Sequence, residues 1–157
     1  MYPKVFELAP KEMLKTAVKS TLEGDEELAI EFPKTAPEYT VSKVFKKEAG
    51  NLTYAFVMYD LGVKMIFKGE GFDEDGKKMM ANIMAGQGMK MTFITDTKAD
   101  VIMENQMTIL IKDDVTNGKW TMMNFDAKNP FFNQLLPDGI ADDAAKYKEE
   151  FIKQKGK

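Results

Sequence analysis

The sequence predicts an α+β domain in which a strongly curved antiparallel sheet packs on helices. Three observations carry this reading. From Thr53 to Lys68 the chain alternates with period two: Ala55, Val57, Tyr59, Leu61, Val63, Met65 and Phe67 form an apolar row. The residues between them, including Tyr54, Phe56, Met58, Asp60, Gly62 and Lys64, are mixed. Side chains alternate faces along a strand, so the whole run reads as one strand with the odd-numbered row against the helices. At about 3.3 Å per residue it would span roughly 50 Å, far beyond a usual strand, so it must bend, and Gly62 is the expected bend or bulge. Apolar stripes at helical spacing lie before and after it, and Asn117-Gly118 marks a hairpin late in the chain.

Taken in order, Pro10 opens a helix with the stripe Met13, Leu14, Ala17, Val18, Thr21 and Leu22, and Gly24 ends it. Leu28–Phe32 reads as a short strand, with Pro33 and Pro37 as loop punctuation. Tyr39–Lys47 is a strand that Glu48-Ala49-Gly50-Asn51 turns back into the long one. Gly69–Gly76 is a glycine-spaced loop in which Asp73 caps a helix of about Glu74–Gln87. Met89–Thr95 suits either helix continuation or strand. Ala99–Met103 and Gln106–Lys112 read as two paired strands around Glu104-Asn105, followed by a hairpin into Lys119–Phe125. Asn129-Pro130 breaks the chain, and Phe131–Leu136 reads as one helical turn. Asp138 caps a last helix with the buried stripe Ile140, Ala144, Tyr147 and Phe151; Asp142 and Asp143 sit early and Lys153 and Lys155 late, as the helix dipole favours. No composition shift divides the 157 residues, which read as a single domain, 1–157.

The chain is 44% hydrophobic and 30% charged, with net charge −3. Every basic residue is lysine, and arginine, histidine and cysteine are absent. This composition removes imidazole acid–base catalysis, thiol nucleophiles, disulfides, bidentate guanidinium recognition and conventional zinc sites. Nothing in the charge points to nucleic acid. No stretch reaches the length of a membrane span, and no signal peptide opens the chain. The abrupt start, with the apolar cluster Val5, Phe6 and Leu8, suggests that a preceding segment is missing.

A Tyr-Pro-Lys-x-Phe-Glu-Leu opening, a lysine-rich helix, a hairpin into a very long strand, a later hairpin reaching Gly-Lys-Trp-Thr, and Leu-Leu-Pro together resemble a group of small exported bacterial proteins of unknown function. Those are similar to the nuclear transport factor 2-like superfamily, a cone of helices against a curved sheet. The resemblance covers nearly the whole chain. It implies a first helix and an export signal ahead of Met1, hence a periplasmic or secreted protein. The methionine-rich helix at Glu74–Gln87 departs from the plain cone, and a cystatin-like curved sheet is the other fold this element order allows.

The superfamily's enzymes often use an aspartate in the cone with a tyrosine as hydrogen-bond donor. Asp60, Tyr54 and Tyr59 are the residues here that suit an isomerase or dehydratase. The alternation argues against them, since Asp60 falls opposite the apolar row and should be exposed. The methionines are the alternative. Thioether clusters can bind soft cuprous ions, but with no histidine or cysteine beside them they read as core filler or as the wall of a groove. Met79, Met80, Ile83 and Met84 would form a mobile apolar wall between flanking glycines, with Trp120 as core or pocket wall. Asp73-Glu74-Asp75-Gly76 lacks the spacing of a calcium loop and reads as a helix cap. The sequence thus favours a non-catalytic domain without a cofactor, binding an apolar small molecule or a protein partner, with a homodimer compatible.

Overall fold

The computed structural model describes residues 1–48, 51–126 and 134–156. The fold is α+β with a strongly curled antiparallel sheet, as the sequence predicts. Among the described residues the helices are α1 (Val5–Leu8), α2 (Lys11–Glu23), α3 (Glu74–Gly86) and α4 (Ile140–Lys155). The strands are β1 (Leu28–Glu31), β2 (Tyr39–Val41), β3 (Phe45–Lys47), β4 (Leu52–Phe67), β5 (Met89–Thr95), β6 (Lys98–Lys112) and β7 (Thr121–Phe125). The sheet order is β1-β4-β6-β5, with β2 and β3 also on β4 and β7 on β6. The chain divides into two compact units. The first comprises Met1–Ala9, Tyr39–Tyr59 and Asn105–Lys157; the second comprises Pro10–Glu38 and Asp60–Glu104.

In the first unit, β2 and β3 pair antiparallel with the first half of β4, and β7 with the second half of β6. The strand expected over Tyr39–Lys47 is interrupted at Ser42. Val41 faces Val57 but Phe45 faces Tyr54, so β2–β3 carries one extra residue. The Ser42 hydroxyl repairs the ladder by accepting the Phe56 N–H at 2.9 Å, while the Ser42 N–H donates to the Phe56 carbonyl.

Leu52, Tyr54, Phe56 and Met58 of β4 form this unit's core with Met107, Ile109 and Ile111 of β6 and with Ile140 and Ala144 of α4. These are the even-numbered residues of β4, so the expected row of Ala55, Val57 and Tyr59 is corrected: of these three only Ala55 is buried. The reason is area. The even face presents two aromatic rings, which stack with neighbours: Phe45 lies 5.1 Å from Tyr54 and Tyr147 lies 5.3 Å from Phe56. The polar members of the even set all come later in the strand and made that face look mixed. The α4 stripe forms as predicted, Tyr147 and Phe151 packing on the core. Its cap differs: Gly139 at φ 78 precedes the helix, and Asp138 makes no side-chain cap. Tyr2 is fully buried, and its N–H donates to the Met122 carbonyl, so α1 starts from an anchored residue. The expected helical turn at Phe131–Leu136 and the break at Asn129-Pro130 lie mostly or wholly outside the described residues; Leu135 and Leu136 are buried in the core.

In the second unit, β1 pairs with the far half of β4 and β5 with the near half of β6. Met89–Thr95 is therefore strand, and the predicted pair of strands around Glu104-Asn105 is instead one strand, β6, fifteen residues long. Asn105 takes φ 54 within it, so the residue read as a turn is a local backbone irregularity. The reversal comes earlier, at Asp96-Thr97. Here the odd-numbered set of β4 does turn inward: Val63 is buried, and Phe67 clusters with Phe72 and Phe93 at centroid distances of 4.9 and 6.0 Å.

This unit has little core. Only Val63, Ala99 and Val101 are buried apolar residues, and neither α2 nor α3 buries any residue. The α2 stripe forms on the helix but is corrected as a core element: Met13, Ala17, Val18 and Leu22 are exposed and only Leu14 is half-buried.

Two outcomes check this account. Phe56→Ala should cost about 3–5 kcal/mol in urea unfolding, as for other buried phenylalanines, whereas Val57→Ala, on the opposite face, should cost clearly less. In hydrogen exchange, amides of Tyr54–Met58 and Met107–Ile111 should exchange slowest, and those of α2 and α3 orders of magnitude faster, since protection follows buried apolar contact.

Candidate functional site

The helix singled out from the sequence is fastened at its start. Asp73 caps α3, its carboxylate accepting the Gly76 N–H at 2.8 Å. Lys77 reaches Asp96 at 2.7 Å and Glu74 at 2.8 Å, and these two carboxylates, Asp96 foremost, raise its pKa. The Phe72 N–H donates to the Asp96 carbonyl. A Cβ at Gly71 would come within 2.6 Å of the Asp96 Cβ, so this glycine is a close-packing position and not a hinge. At the other end Gly86 and Gly88 have open space, Gly88 at φ 79. The helix thus has one fixed end, which corrects the picture of hinges on both sides.

α3 packs on β5. Met80 and Met84 are half-buried, whereas Met79 and Ile83 are 59% and 49% exposed. The predicted binding residues therefore divide into two that face the sheet and two that face water. Trp120 does not join them. It precedes β7, belongs to the other unit and is 50% exposed, so the expectation of a core or pocket wall is corrected.

Of the candidate acid–base residues, Tyr54 and Tyr59 each turn their hydroxyl to a different acceptor. The Tyr54 hydroxyl donates to Asp143 Oδ2 at 2.6 Å; Lys47 Nζ lies 3.5 Å from the same oxygen and 5.6 Å from the Tyr54 ring centre. The Tyr59 hydroxyl lies 3.4 Å from Thr108 Oγ1, and Thr108 donates its one hydroxyl hydrogen to Asn124 at 3.0 Å, so Tyr59 is the donor. Asp60 is half-buried and not exposed as expected; it shares the even-numbered set with Tyr54, Phe56 and Met58.

Lys47, Asp143 and the Tyr2–Asp113 pair are the polar residues sequence reasoning missed. The Tyr2 hydroxyl donates to Asp113 Oδ2 at 2.8 Å, and the other Asp113 oxygen accepts the Thr116 N–H at 2.9 Å. Only the aspartate-then-Asn-Gly spacing of the β6–β7 turn signals part of this. Beside it is a cavity of about 270 Å³ lined by Tyr2, Lys4, Leu52 and Asp113.

In the second unit a broader depression of about 390 Å³ lies over β4 and β6, lined among others by Phe32, Gly62 and Ile102. Among the described residues no group of three or more carboxylates is placed to hold a metal ion, and no helix is long and apolar enough to cross a membrane. No protein-family model, curated protein or solved structure matches this chain.

Burial first, and then the bond to a carboxylate, raises the pKa of the hydroxyls of Tyr2 and Tyr54; burial alone raises that of Tyr147. Raised values mean that the folded state holds these protons more tightly. Their contribution to stability is complete below pH 10.0, the ordinary phenol value, and is lost as the pH rises beyond it. Absorbance at 295 nm should show Tyr2, Tyr54 and Tyr147 resisting ionisation in the native protein, and Tyr54→Phe should remove one of the late-titrating groups. Gly71→Ala should destabilise the second unit, seen as faster exchange in α3 and β5 with β7 unchanged.

Proposed function

We propose that the protein is a non-catalytic binding domain whose second unit receives an apolar ligand or a protein partner on the outer face of α3. One observation carries this reading. A unit whose two helices bury no residue keeps Met79 and Ile83 in water, with Met80 and Met84 beneath them on β5. Large apolar side chains exposed in a group mark interaction surfaces. Methionine suits a surface that must adapt, because its unbranched thioether repacks easily. The fixed start of α3 and the open glycines at its end allow the helix to adjust at its C-terminal turn.

The resemblance to nuclear transport factor 2-like proteins belongs to the same proposal, with the curled sheet as scaffold, and so does export, which rests on that resemblance alone. The uncovered α2 stripe offers a further apolar surface to a partner, a second copy of the chain included. An isomerase-like reading gains no support from Tyr54 and Tyr59, whose hydroxyls already have acceptors.

Methyl-labelled methionine and isoleucine provide the test. A panel of apolar ligands and amphipathic peptides should shift Met79, Met80, Ile83 and Met84, and the double variant Met79→Lys, Ile83→Lys should lose these shifts while keeping its unfolding midpoint. Silence at these four methyls would leave α3 as packing only.

A further inference from the structure

The depression of the second unit holds a glycine that no neighbouring atom requires. Gly62 sits in the interior of β4, where glycine weakens a strand. Its φ is not in the left-handed region. A Cβ built on it meets nothing within 4 Å, so no neighbouring atom demands its absence. What the missing side chain leaves is space, and that space is part of the 390 Å³ depression. A glycine inside a strand marks a bend, a bulge or a place of close approach, and here the open space above it suits the approach of a ligand.

The walls around it are of two kinds. Phe32 and Ile102, each 43% exposed, and Pro33 give an apolar rim. Glu31, Asp100 and Lys64 supply two carboxylates and one ammonium. Glu31 faces Lys64 across the β1–β4 ladder, yet they form no ion pair, and Asp100 has no side-chain partner among the described residues. The unit as a whole carries ten lysines against fifteen carboxylates, a net charge of −5. A field of that sign concentrates cations. An exposed aromatic ring beside carboxylates is the usual setting for binding an organic ammonium group.

We infer that this depression is a binding site for a small amphipathic cation, an apolar body carrying one ammonium group, seated over Gly62 with its charge toward Glu31 and Asp100. The site is separate from the face of α3 and does not depend on it. Its size lies in the range of small-molecule sites, and its combination of apolar walls with a few polar groups matches their usual make-up.

Two probes of similar shape and opposite charge test this: 2-(1-naphthyl)ethylammonium and 1-naphthylacetate, titrated into isotopically labelled protein. The cation should shift the amides of Phe32, Gly62, Val101 and Ile102 and bind at least tenfold more tightly than the anion. Gly62→Leu should fill the space and abolish these shifts, with the unfolding midpoint kept or raised. Asp100→Asn, at an exposed position, should weaken the cation severalfold and leave the anion unchanged, which keeps the test decisive if Gly62→Leu fails to fold. No binding of the cation, equal binding of both probes, binding that survives Gly62→Leu, or indifference to Asp100→Asn would overturn the inference. Shifts confined to the α3 methyls would assign the probe to the other surface and likewise reject this site.

Discussion

A strand has two faces, and β4 cannot bury both with the material this chain provides. Its first half places Leu52, Tyr54, Phe56 and Met58 in a core closed by β6 and α4. Its second half turns Val63 inward and leaves Gly62 exposed. The rest of the structure depends on this division. Among the described residues, fifteen of the eighteen buried apolar ones fall in the first unit and three in the second. Burial of apolar area is the main favourable term in folding, so the first unit has far more of it to draw on than the second. Apolar groups that a small core cannot take in remain at the surface, where a ligand or partner can cover them.

The chemistry follows from composition and placement together. With neither histidine, cysteine nor arginine, tyrosines and carboxylates are the natural partners for one another. Tyr2 binds Asp113 across 111 positions of sequence and Tyr54 binds Asp143 across 89. Each bond ties a turn or helix to the strand that supports it: Tyr2 secures the β6–β7 turn, and Tyr54 with Lys47 secures the first turn of α4. A phenol held this way keeps its proton and serves poorly as a shuttle. Tyr54, one of the residues that suit acid–base chemistry, is held in such a bond.

Local signals in the sequence were read well, and side-dependent ones were not. The Asp73 cap, the Asn117-Gly118 turn with φ values of 52 and 67, the α4 stripe and the length of β4 all follow from residue type and spacing over a few positions. The buried face of β4 is hidden in the sequence because Asp60, Gly62 and Lys64 share one alternating set with Tyr54 and Phe56, although the two groups lie in different halves of the strand. Glu104-Asn105 reads as a turn because asparagine favours one and glutamate is uncommon in strands, and pairing with β5 and β7 on either side carries the strand through. The amphipathic pattern of α2 specifies a helix but cannot say whether anything covers it. The pairing of Tyr2 with Asp113 has no sequence signal beyond the turn that holds Asp113, since only the fold brings such distant positions together. The depression over Gly62 is half legible: the glycine stands out in the strand, but the space above it depends on residues that only the fold brings together.

The outer strands bear on how the protein avoids its own kind. β5 ends the sheet order and would offer unpaired backbone groups to any passing strand, yet Lys90 stands exposed on it and its register with β6 slips between Phe93 and Thr95. Charge and irregular register are the usual means of keeping edge strands from adding to one another. β7 is treated differently: Tyr2, locked by its own hydroxyl, donates its N–H to Met122 and takes up a position on that strand. The buried second residue thus acts on two things at once, and trimming it away would free a backbone acceptor of β7 as well as leave a hole in the core.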